Sequence, residues 1–156
     1  MDVILNWKGR MSFEGTGKSG FVQKIDTGAS VGGNNSATSP MEYLALGLGG
    51  CAGMDVISIL QKKKQAVADF KVKVHAERAQ DHPKVFTRAV IEYLVTGRNV
   101  EETALLRAIE LSAEKYCPAV AMLSRAFPIQ MIYKIFDEDG KTLIKKGEYV
   151  LKLTTG

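Results

Sequence analysis

SPMEYLALGLGGCAGMDVISILQKKK, residues 39–64, is the stretch that decides the fold of this 156-residue chain. It opens with the start signal of a helix: Ser39 as N-cap, a proline at the first helical position, and Glu42 closing a capping box. The apolar residues that follow predict one long helix that ends near Lys64. Four glycines interrupt this helix around Cys51, although a glycine costs about 1 kcal/mol relative to alanine inside a helix.

The glycines around Cys51 have two interpretations, and the sequence leaves both open. Because glycine has no side chain, Gly47, Gly49, Gly50 and Gly53 let another backbone, or a substrate, come close to the thiol. They also permit a break near the middle of the helix, which would place Cys51 at a helix N-terminus. In the alternative interpretation, the glycines line a tight helix-packing surface and the thiol is inert.

The rest of the chain predicts three groups of β-strands and two further helices. In the N-terminal part, short apolar runs separated by turn signals predict three strands, and a loop rich in glycine and serine leads into the long helix. Residues 69–80 and 84–97 alternate apolar and polar side chains and predict a hairpin. A helix capped by Asn99, a short helix starting at Pro118 and two strands around the turn DEDG complete the order. Strands in hairpins with segregated helices predict a single α+β domain over residues 1–156, with antiparallel sheets.

The bulk composition is that of an ordinary globular domain. Hydrophobic residues make up 46% of the chain and charged residues 24%, so a sizeable core can form. No continuous run approaches the roughly 18 apolar residues of a membrane span, and the N-terminus lacks the pattern of a signal peptide. We therefore expect a cytoplasmic protein with no membrane partner. The net charge is +4, but the lysines are scattered apart from residues 62–64 and no aromatic residues alternate with arginines, so no nucleic-acid partner is expected.

Cys51 and Cys117 are the two cysteines of the chain. Two cysteines are too few for a disulfide scaffold. With only His75 and His82 beside them, they also make a poor ligand set for structural zinc, which takes four Cys or His ligands at close spacing. We therefore expect neither a metal nor an organic cofactor, and we expect neither histidine to act in catalysis. Two isolated cysteines in a cytosolic chain are either inert core residues or a redox pair.

Cys117 directly precedes Pro118, so it is predicted at the N-cap of the short helix. The free N–H groups and the positive dipole end of a helix lower the pKa of a thiol at that position. The alternative is a small buried hydrophobic residue, the commonest role of a free cysteine. Considered together, two thiols beside helix breakers fit peroxide chemistry, in which a thiolate becomes a sulfenic acid and a second thiol condenses with it to a disulfide.

Three segments give the chain a resemblance to a known family. They are the long-helix stretch quoted above, LSAEKYCPAV at residues 111–120, and ERAQDHPKVFT at residues 77–87. In these segments, and in the order of elements, the chain resembles the osmotically induced and organic-hydroperoxide-resistance proteins, the OsmC/Ohr superfamily. GGCAGMDVISIL and HPKVFT look most similar to its OsmC-like subgroup. The resemblance implies an OsmC-like fold: an intertwined homodimer in which antiparallel sheets wrap around long central helices.

The resemblance also implies an activity, the thiol-dependent reduction of organic hydroperoxides in oxidative-stress defence. By motif, Cys51 corresponds to the peroxidatic cysteine and Cys117 to the resolving cysteine, and a dithiol reductant restores both. The alternative function on the same fold is a non-enzymatic stress protein that binds a ligand or senses redox state through its cysteines.

An arginine on the early strands and a glutamate at the helix start complete the site in the peroxidase branches. Arg10 lies at about the expected place, and its alternative role is an exposed charge in a tight turn. The glutamate of those branches directly follows the proline, a position held here by Met41. Glu42 comes one residue later, a rotation of about 100° around the helix, and its alternative role is the capping box.

The surroundings of the thiol are predicted to be apolar, which favours bulky peroxides. The expected lining residues are Leu44, Leu48 and Met54. Asp55 follows Cys51 by one turn, and a carboxylate in an apolar helix must be paired or hydrogen-bonded. A carboxylate near Cys51 raises the pKa of a thiol, so we expect Asp55 to have a structural role in pairing rather than in activation.

Overall fold

A computed structural model describes residues 1–151 of the chain, as two compact units. The first unit, Met1–Leu44, is called the N-terminal unit below, and the second, which begins at Ala45, is called the C-terminal unit.

The N-terminal unit is built on the three strands that the sequence predicts. β1 (Val3–Gly9), β2 (Ser12–Gly17) and β3 (Val22–Ile25) form an antiparallel sheet in the order β1-β2-β3. Gly9 and Arg10 form the turn between β1 and β2 with φ angles of 104° and 48°. A positive φ is unfavourable for a residue with a side chain, so the fold holds Arg10 in a constrained turn.

The loop that follows β3 is organised by a buried carboxylate, which the sequence analysis did not single out. Asp26 accepts hydrogen bonds from the Ser36 hydroxyl at 2.6 Å and from the backbone N–H groups of Thr27, Asn34 and Ser36 at 2.8, 3.1 and 3.1 Å. These bonds, led by the one from Ser36, hold the pKa of Asp26 well below its usual range against the opposing effect of burial. A Cβ at Gly33 would lie 2.0 Å from the Thr27 carbonyl oxygen, so the loop requires glycine there.

The long helix α1 (Pro40–Lys62) is continuous, so the predicted possibility of a break among its glycines is wrong. It ends two residues before the predicted end, because Lys64 adopts a positive φ of 56°. One face of its C-terminal part is buried, and that face consists of Leu48, Gly49, Ala52, Gly53, Val56 and Leu60.

By length and composition α1 is also apolar enough to cross a membrane. This corrects the expectation that no segment approaches a membrane span, since a helix that alternates leucine and glycine reaches the required hydropathy without a continuous apolar run. A core helix packed on a sheet meets the same test, and α1 has such a packed face. The lack of a membrane partner stays a prediction.

The C-terminal unit contains a four-stranded sheet in the order β4-β5-β6-β7. Its strands are β4 (Ala66–Arg78), β5 (Phe86–Arg98), β6 (Ile129–Phe136) and β7 (Leu143–Tyr149). The α+β class and both predicted hairpins are confirmed, but β5 and β6 are parallel, which corrects the expectation of antiparallel sheets alone. The helices between these two strands supply the long crossover that a parallel pair requires.

That crossover contains α2 (Glu102–Leu111), a π-helical turn (Ser112–Tyr116) and α3 (Pro118–Leu123). The predicted cap is wrong: Asn99 lies in a turn with φ 50°, and α2 follows Glu101, whose side chain makes no capping hydrogen bond. Apolar side chains of α1, α2, β5 and β6 meet in one continuous core. Its largest fully buried members include Leu60, Ile91, Tyr93, Leu105, Ile109 and Met131.

Candidate functional site

Gly49 and Gly53, two residues to either side of Cys51, are where α1 packs on the sheet. A Cβ at Gly49 would lie 2.7 Å from Cγ2 of Val74, and a Cβ at Gly53 would lie 2.9 Å from Cγ2 of Val72. Both distances are too short for real side chains, so these two glycines are required for α1 to rest on β4. The packing part of the alternative interpretation is therefore confirmed for this pair, whereas an inert thiol stays a prediction. Cys51 lies about 160° around the helix from Gly53, and its partly buried thiol packs against the core.

The other two glycines of α1 belong to a different surface. A Cβ at Gly47 or Gly50 would have no atom within 4 Å. Leu46 and Met54 lie on the same side of the helix and are 61% and 73% exposed. Together these four residues are called the open face of α1 below.

Cys117 occupies the predicted N-cap of α3. Its sulfur accepts a hydrogen bond from the Val120 N–H at 3.4 Å, and its own N–H donates to the Ser112 carbonyl oxygen at 2.8 Å across the π-helical turn. The residue is 2% exposed. Sequence reasoning gave the cap correctly, but it did not predict the π-helical turn that sets the thiol at this depth.

The two thiols meet inside the C-terminal unit, and both are free. Burial raises the pKa of Cys117 to about 12, the backbone N–H groups of Val120 and Ala119 oppose that rise, and the neighbouring Cys51 thiol raises the pKa further. The expectation of a lowered pKa at the N-cap is therefore wrong, because desolvation of the anion outweighs the N–H groups at the start of α3. Cys117 is a neutral thiol at neutral pH.

A second polar pair lies one helical turn from Cys51. The hydroxyl of Ser112 lies 3.2 Å from Oδ2 of Asp55 and 3.4 Å from the carbonyl oxygen of Ala52. The predicted structural pairing of Asp55 is thus confirmed, with Ser112 as its partner. Ser112 is itself buried, and a lone serine near the end of a predicted helix gave no signal of this role.

Tyr93 of β5 carries a polar group that the core leaves without a partner. Its hydroxyl oxygen is buried and makes no hydrogen bond with any residue between 1 and 151. Burial raises the pKa of this phenol most, and the negative charges that Cys117 and Asp55 carry when ionised raise it further. Tyr93 belongs to the alternating segment 84–97, and nothing in the sequence connects it with the thiols, which lie on distant parts of the chain.

Arg10 is anchored within the N-terminal unit. Its guanidinium group donates to Oδ1 of Asn34 at 2.9 Å and to the carbonyl oxygen of Gly32 at 3.2 Å, while its own carbonyl oxygen accepts a hydrogen bond from the indole of Trp7. Arg10 therefore fits its alternative role, an exposed charge in a tight turn. A role for Arg10 beside the thiol stays a prediction.

Glu42 forms the capping box that the sequence predicts. Its Oε2 accepts hydrogen bonds from the Ser39 hydroxyl at 2.6 Å and the Ser39 N–H at 2.8 Å, and its own N–H donates to the Ser39 hydroxyl at 3.4 Å. These bonds, first that from the hydroxyl, lower the pKa of Glu42. Any catalytic role of Glu42 stays a prediction.

The three expected lining residues have different environments. Leu48 is 2% exposed and belongs to the core, whereas Leu44 and Met54 are 49% and 73% exposed. Whether they contact a substrate stays a prediction. Among residues 1–151, no three or more His, Cys, Asp or Glu side chains form a group that could hold a metal ion.

Comparison with known proteins places this geometry in a family. A family model described as OsmC-like protein matches residues 33–132, which include both cysteines. The chain belongs to the OsmC-like family. The OsmC-like protein is 38% identical to Protein YhfA of Escherichia coli K12 over 135 residues, which cover 86% of this chain and 98% of YhfA.

Solved structures share the fold. A hypothetical protein of Aquifex aeolicus superposes with a TM-score of 0.77 at 31% identity, covering 88% of this chain and 96% of that one. The organic hydroperoxide resistance protein OhrB of Bacillus subtilis superposes with a TM-score of 0.58 at 16% identity, covering 85% and 96%. At that identity, the likeness to OhrB shows the fold alone.

Proposed function

We propose that this OsmC-like protein is a thiol-dependent peroxidase that reduces organic hydroperoxides with Cys51 and Cys117. The observation that carries the proposal is the meeting of two free thiols from different helices in an apolar core. Similarity in fold to a protein named for organic hydroperoxide resistance agrees with this chemistry.

The two thiols differ in exposure, and this difference supports different roles for them. Cys51 is partly exposed and Cys117 is buried, so a peroxide reaches Cys51 first. The Cys51 thiolate attacks the terminal oxygen of the hydroperoxide, the O–O bond breaks, and the alcohol leaves after taking up a proton. Cys51 is then a sulfenic acid, oxidised by two electrons.

Cys117 resolves that intermediate. Its sulfur attacks the Cys51 sulfur, the S–O bond breaks, and the departing hydroxide takes the proton of Cys117 and leaves as water. The product is a Cys51–Cys117 disulfide, which a dithiol reductant converts back to two thiols. Because such reductants are available in a reducing compartment, we propose a cytoplasmic location.

The proposal includes Arg10 and Glu42, the two groups implied by the family resemblance. A guanidinium beside a thiol favours the thiolate, so we expect Arg10→Gln to slow oxidation of Cys51. Lys8→Gln, at the other cation of the same β-hairpin, is the matched control and leaves the rate unchanged. Equal rates in all three proteins would remove Arg10 from the mechanism but leave the cysteine pair intact.

A homodimer is the proposed assembly. The open face of α1 presents apolar side chains and two glycines with no neighbouring atoms, which fits close approach by a second copy of the helix. Sedimentation of the purified protein tests this, and a monomer at high micromolar concentration would contradict it.

The central test follows the thiols by mass spectrometry after addition of cumene hydroperoxide. We expect a Cys51–Cys117 disulfide in the wild type, no turnover in Cys51→Ser, and a trapped Cys51 sulfenic acid in Cys117→Ser. Full peroxide turnover by Cys51→Ser would overturn the mechanism. Thiols that stay reduced in the wild type would instead favour a non-enzymatic binding protein on this fold.

A further inference from the structure

We infer that the buried hydroxyl of Tyr93 donates a hydrogen bond to the sulfur of Cys117 when that thiol becomes a thiolate, and so speeds the resolving step. This inference rests on the proposed peroxidase function. It adds to that function a residue that acts in the second half of the reaction.

The first support is the state of the hydroxyl in the reduced protein. Tyr93 is fully buried, and its oxygen has no hydrogen-bond partner among residues 1–151. Buried polar groups are nearly always paired, so an unpaired hydroxyl in the centre of a well-packed core requires a reason. A partner that forms only during the reaction supplies one.

The second support is position. Tyr93 pairs with Val72 in the sheet, and Val72 is the residue that lies directly beneath Gly53 of α1. The ring of Tyr93 stacks on Phe70, with centroids 6.4 Å apart and planes 15° from parallel, and the Phe70 ring edge also approaches Gly53. Tyr93 therefore lies on the face of the sheet that α1 covers, in the same buried cluster as Cys117.

The third support is chemical. A neutral thiol sulfur is a weak hydrogen-bond acceptor, so Cys117 in its resting state gives the phenol little to bind. A thiolate is a strong acceptor, and bonds to ionised partners are roughly twice as strong as neutral ones. The raised pKa of Tyr93, caused by burial and then by Cys117 and Asp55, keeps the phenol protonated and therefore able to donate.

The need for such a donor follows from the environment of Cys117. Burial raises the pKa of its thiol to about 12, yet its sulfur must develop negative charge to attack Cys51. The Val120 N–H at 3.4 Å stabilises that charge only in part. In the resolving step the S–S bond forms as the S–O bond breaks, the Cys117 proton ends on water, and Tyr93 stays neutral throughout.

The test compares wild type, Tyr93→Phe and Tyr133→Phe in a single turnover. Tyr133 is the matched control because it lies beside Tyr93 in register on β6, but its hydroxyl donates to Glu102 at 2.7 Å. Each protein receives one equivalent of cumene hydroperoxide, and samples are quenched with dimedone. Mass spectrometry then separates the thiol, the dimedone-trapped sulfenic acid and the disulfide.

In Tyr93→Phe we expect Cys51 to be oxidised at the wild-type rate, while disulfide formation slows by about tenfold or more, the loss expected for one hydrogen bond to a charged acceptor. Sulfenic acid therefore accumulates in this variant. Its melting temperature should equal or exceed that of the wild type, because the change removes an unpaired buried group. Tyr133→Phe should melt lower and resolve at the wild-type rate.

Three results would overturn the inference while leaving the proposed function in place. They are equal rates of disulfide formation in wild type and Tyr93→Phe, a slowed oxidation of Cys51 in that variant, and a Tyr93→Phe protein that melts well below the wild type. The last result would show that the hydroxyl serves the fold. A wild-type protein whose thiols both stay reduced would overturn the proposed function together with the inference.

Discussion

The N-terminal and C-terminal units of this chain differ in whether their apolar residues are buried. In the N-terminal unit no apolar side chain is buried, and the buried residues are Asp26 and Gly33. Its small sheet and turns expose Val3, Ile4, Leu5, Trp7, Met11, Phe21 and Val22. The C-terminal unit buries a continuous apolar core drawn from three helices and two strands, with both thiols in or against it.

This contrast separates what stabilises the two units. Burial of apolar surface contributes about 25 cal/mol per Å², so the C-terminal unit has a large driving force within its own residues. A three-stranded sheet needs a covered apolar face to be stable. The N-terminal unit is instead organised by hydrogen bonds to Asp26, and its exposed apolar residues fit the proposal that a second copy covers them.

The largest expected effect on the free energy of unfolding comes from a substitution in the C-terminal core. Leu105 is fully buried, so Leu105→Ala should lower the free energy of unfolding by about 2–5 kcal/mol. Urea unfolding measures this loss. Met122 is 66% exposed, and Met122→Ala in the same unit should change stability by no more than about 0.5 kcal/mol. Similar losses in both variants would contradict the placement of the core.

The next effect separates the two kinds of glycine in α1. A side chain at Gly49 would overlap Val74, so Gly49→Ala should cost about 1–3 kcal/mol through overpacking. Gly50→Ala meets no neighbouring atom within the chain and should raise helix stability by roughly 1 kcal/mol. If Gly50→Ala instead lowers the free energy of unfolding, and does so more as the protein concentration rises, a second copy packs on the open face of α1.

A smaller effect tests the N-terminal unit directly. Val22 is 57% exposed, so Val22→Ala should leave the stability of the dilute protein unchanged. If a second copy covers this sheet, the same change should cost about 1 kcal/mol at high protein concentration, where the methyl groups are buried. Urea unfolding at two concentrations distinguishes the cases, and a loss that is the same at both would argue against a covering copy.

The last prediction concerns Asp26, whose contribution to stability shows itself as a pH dependence in acid. Its pKa in the folded protein is below the unfolded value of about 3.9, so its contribution to stability is fully present above about pH 4 and is lost as the pH falls further. Trp7, the single tryptophan, lies in the same unit, and its fluorescence should report the acid transition.

Asp26→Asn is the variant that tests this assignment. It should remove the pH dependence of the Trp7 signal in acid, while helical circular dichroism, which comes mainly from the C-terminal unit, follows the same acid curve as in the wild type. An unchanged acid transition of Trp7 in this variant would show that other carboxylates control the N-terminal unit.

Local features of the fold were predictable from the sequence. The alternation of residues 69–80 and 84–97, the capping box of Ser39 and Glu42, and the N-cap at Cys117 all depend on neighbours within a few positions. The parallel pairing of β5 with β6 was not predictable in this way, because strand direction is decided by where a crossover of about thirty residues returns.

In the candidate site, too, only the features that depend on neighbouring residues were predictable from the sequence. The two cysteines were identified from their flanking glycines and proline, but the pKa of Cys117 depends on burial, which only the tertiary structure sets. The residues that flank Tyr93 and Ser112 do not identify either as functional, since an inward tyrosine on a strand and a serine on a helix are both ordinary. Their roles arise from the packing of α1 against the sheet and the π-helical turn.

The depth of Cys117 has a consequence for the return half of the cycle. In the proposed disulfide, an incoming reductant reaches only the sulfur of Cys51, so the mixed disulfide forms there and Cys117 is the thiol that is expelled. Thiols of high pKa are poor leaving groups, and the pKa of Cys117 is raised to about 12. In the proposed cycle we therefore expect reduction of the disulfide, rather than peroxide capture, to be the slower half of each turnover.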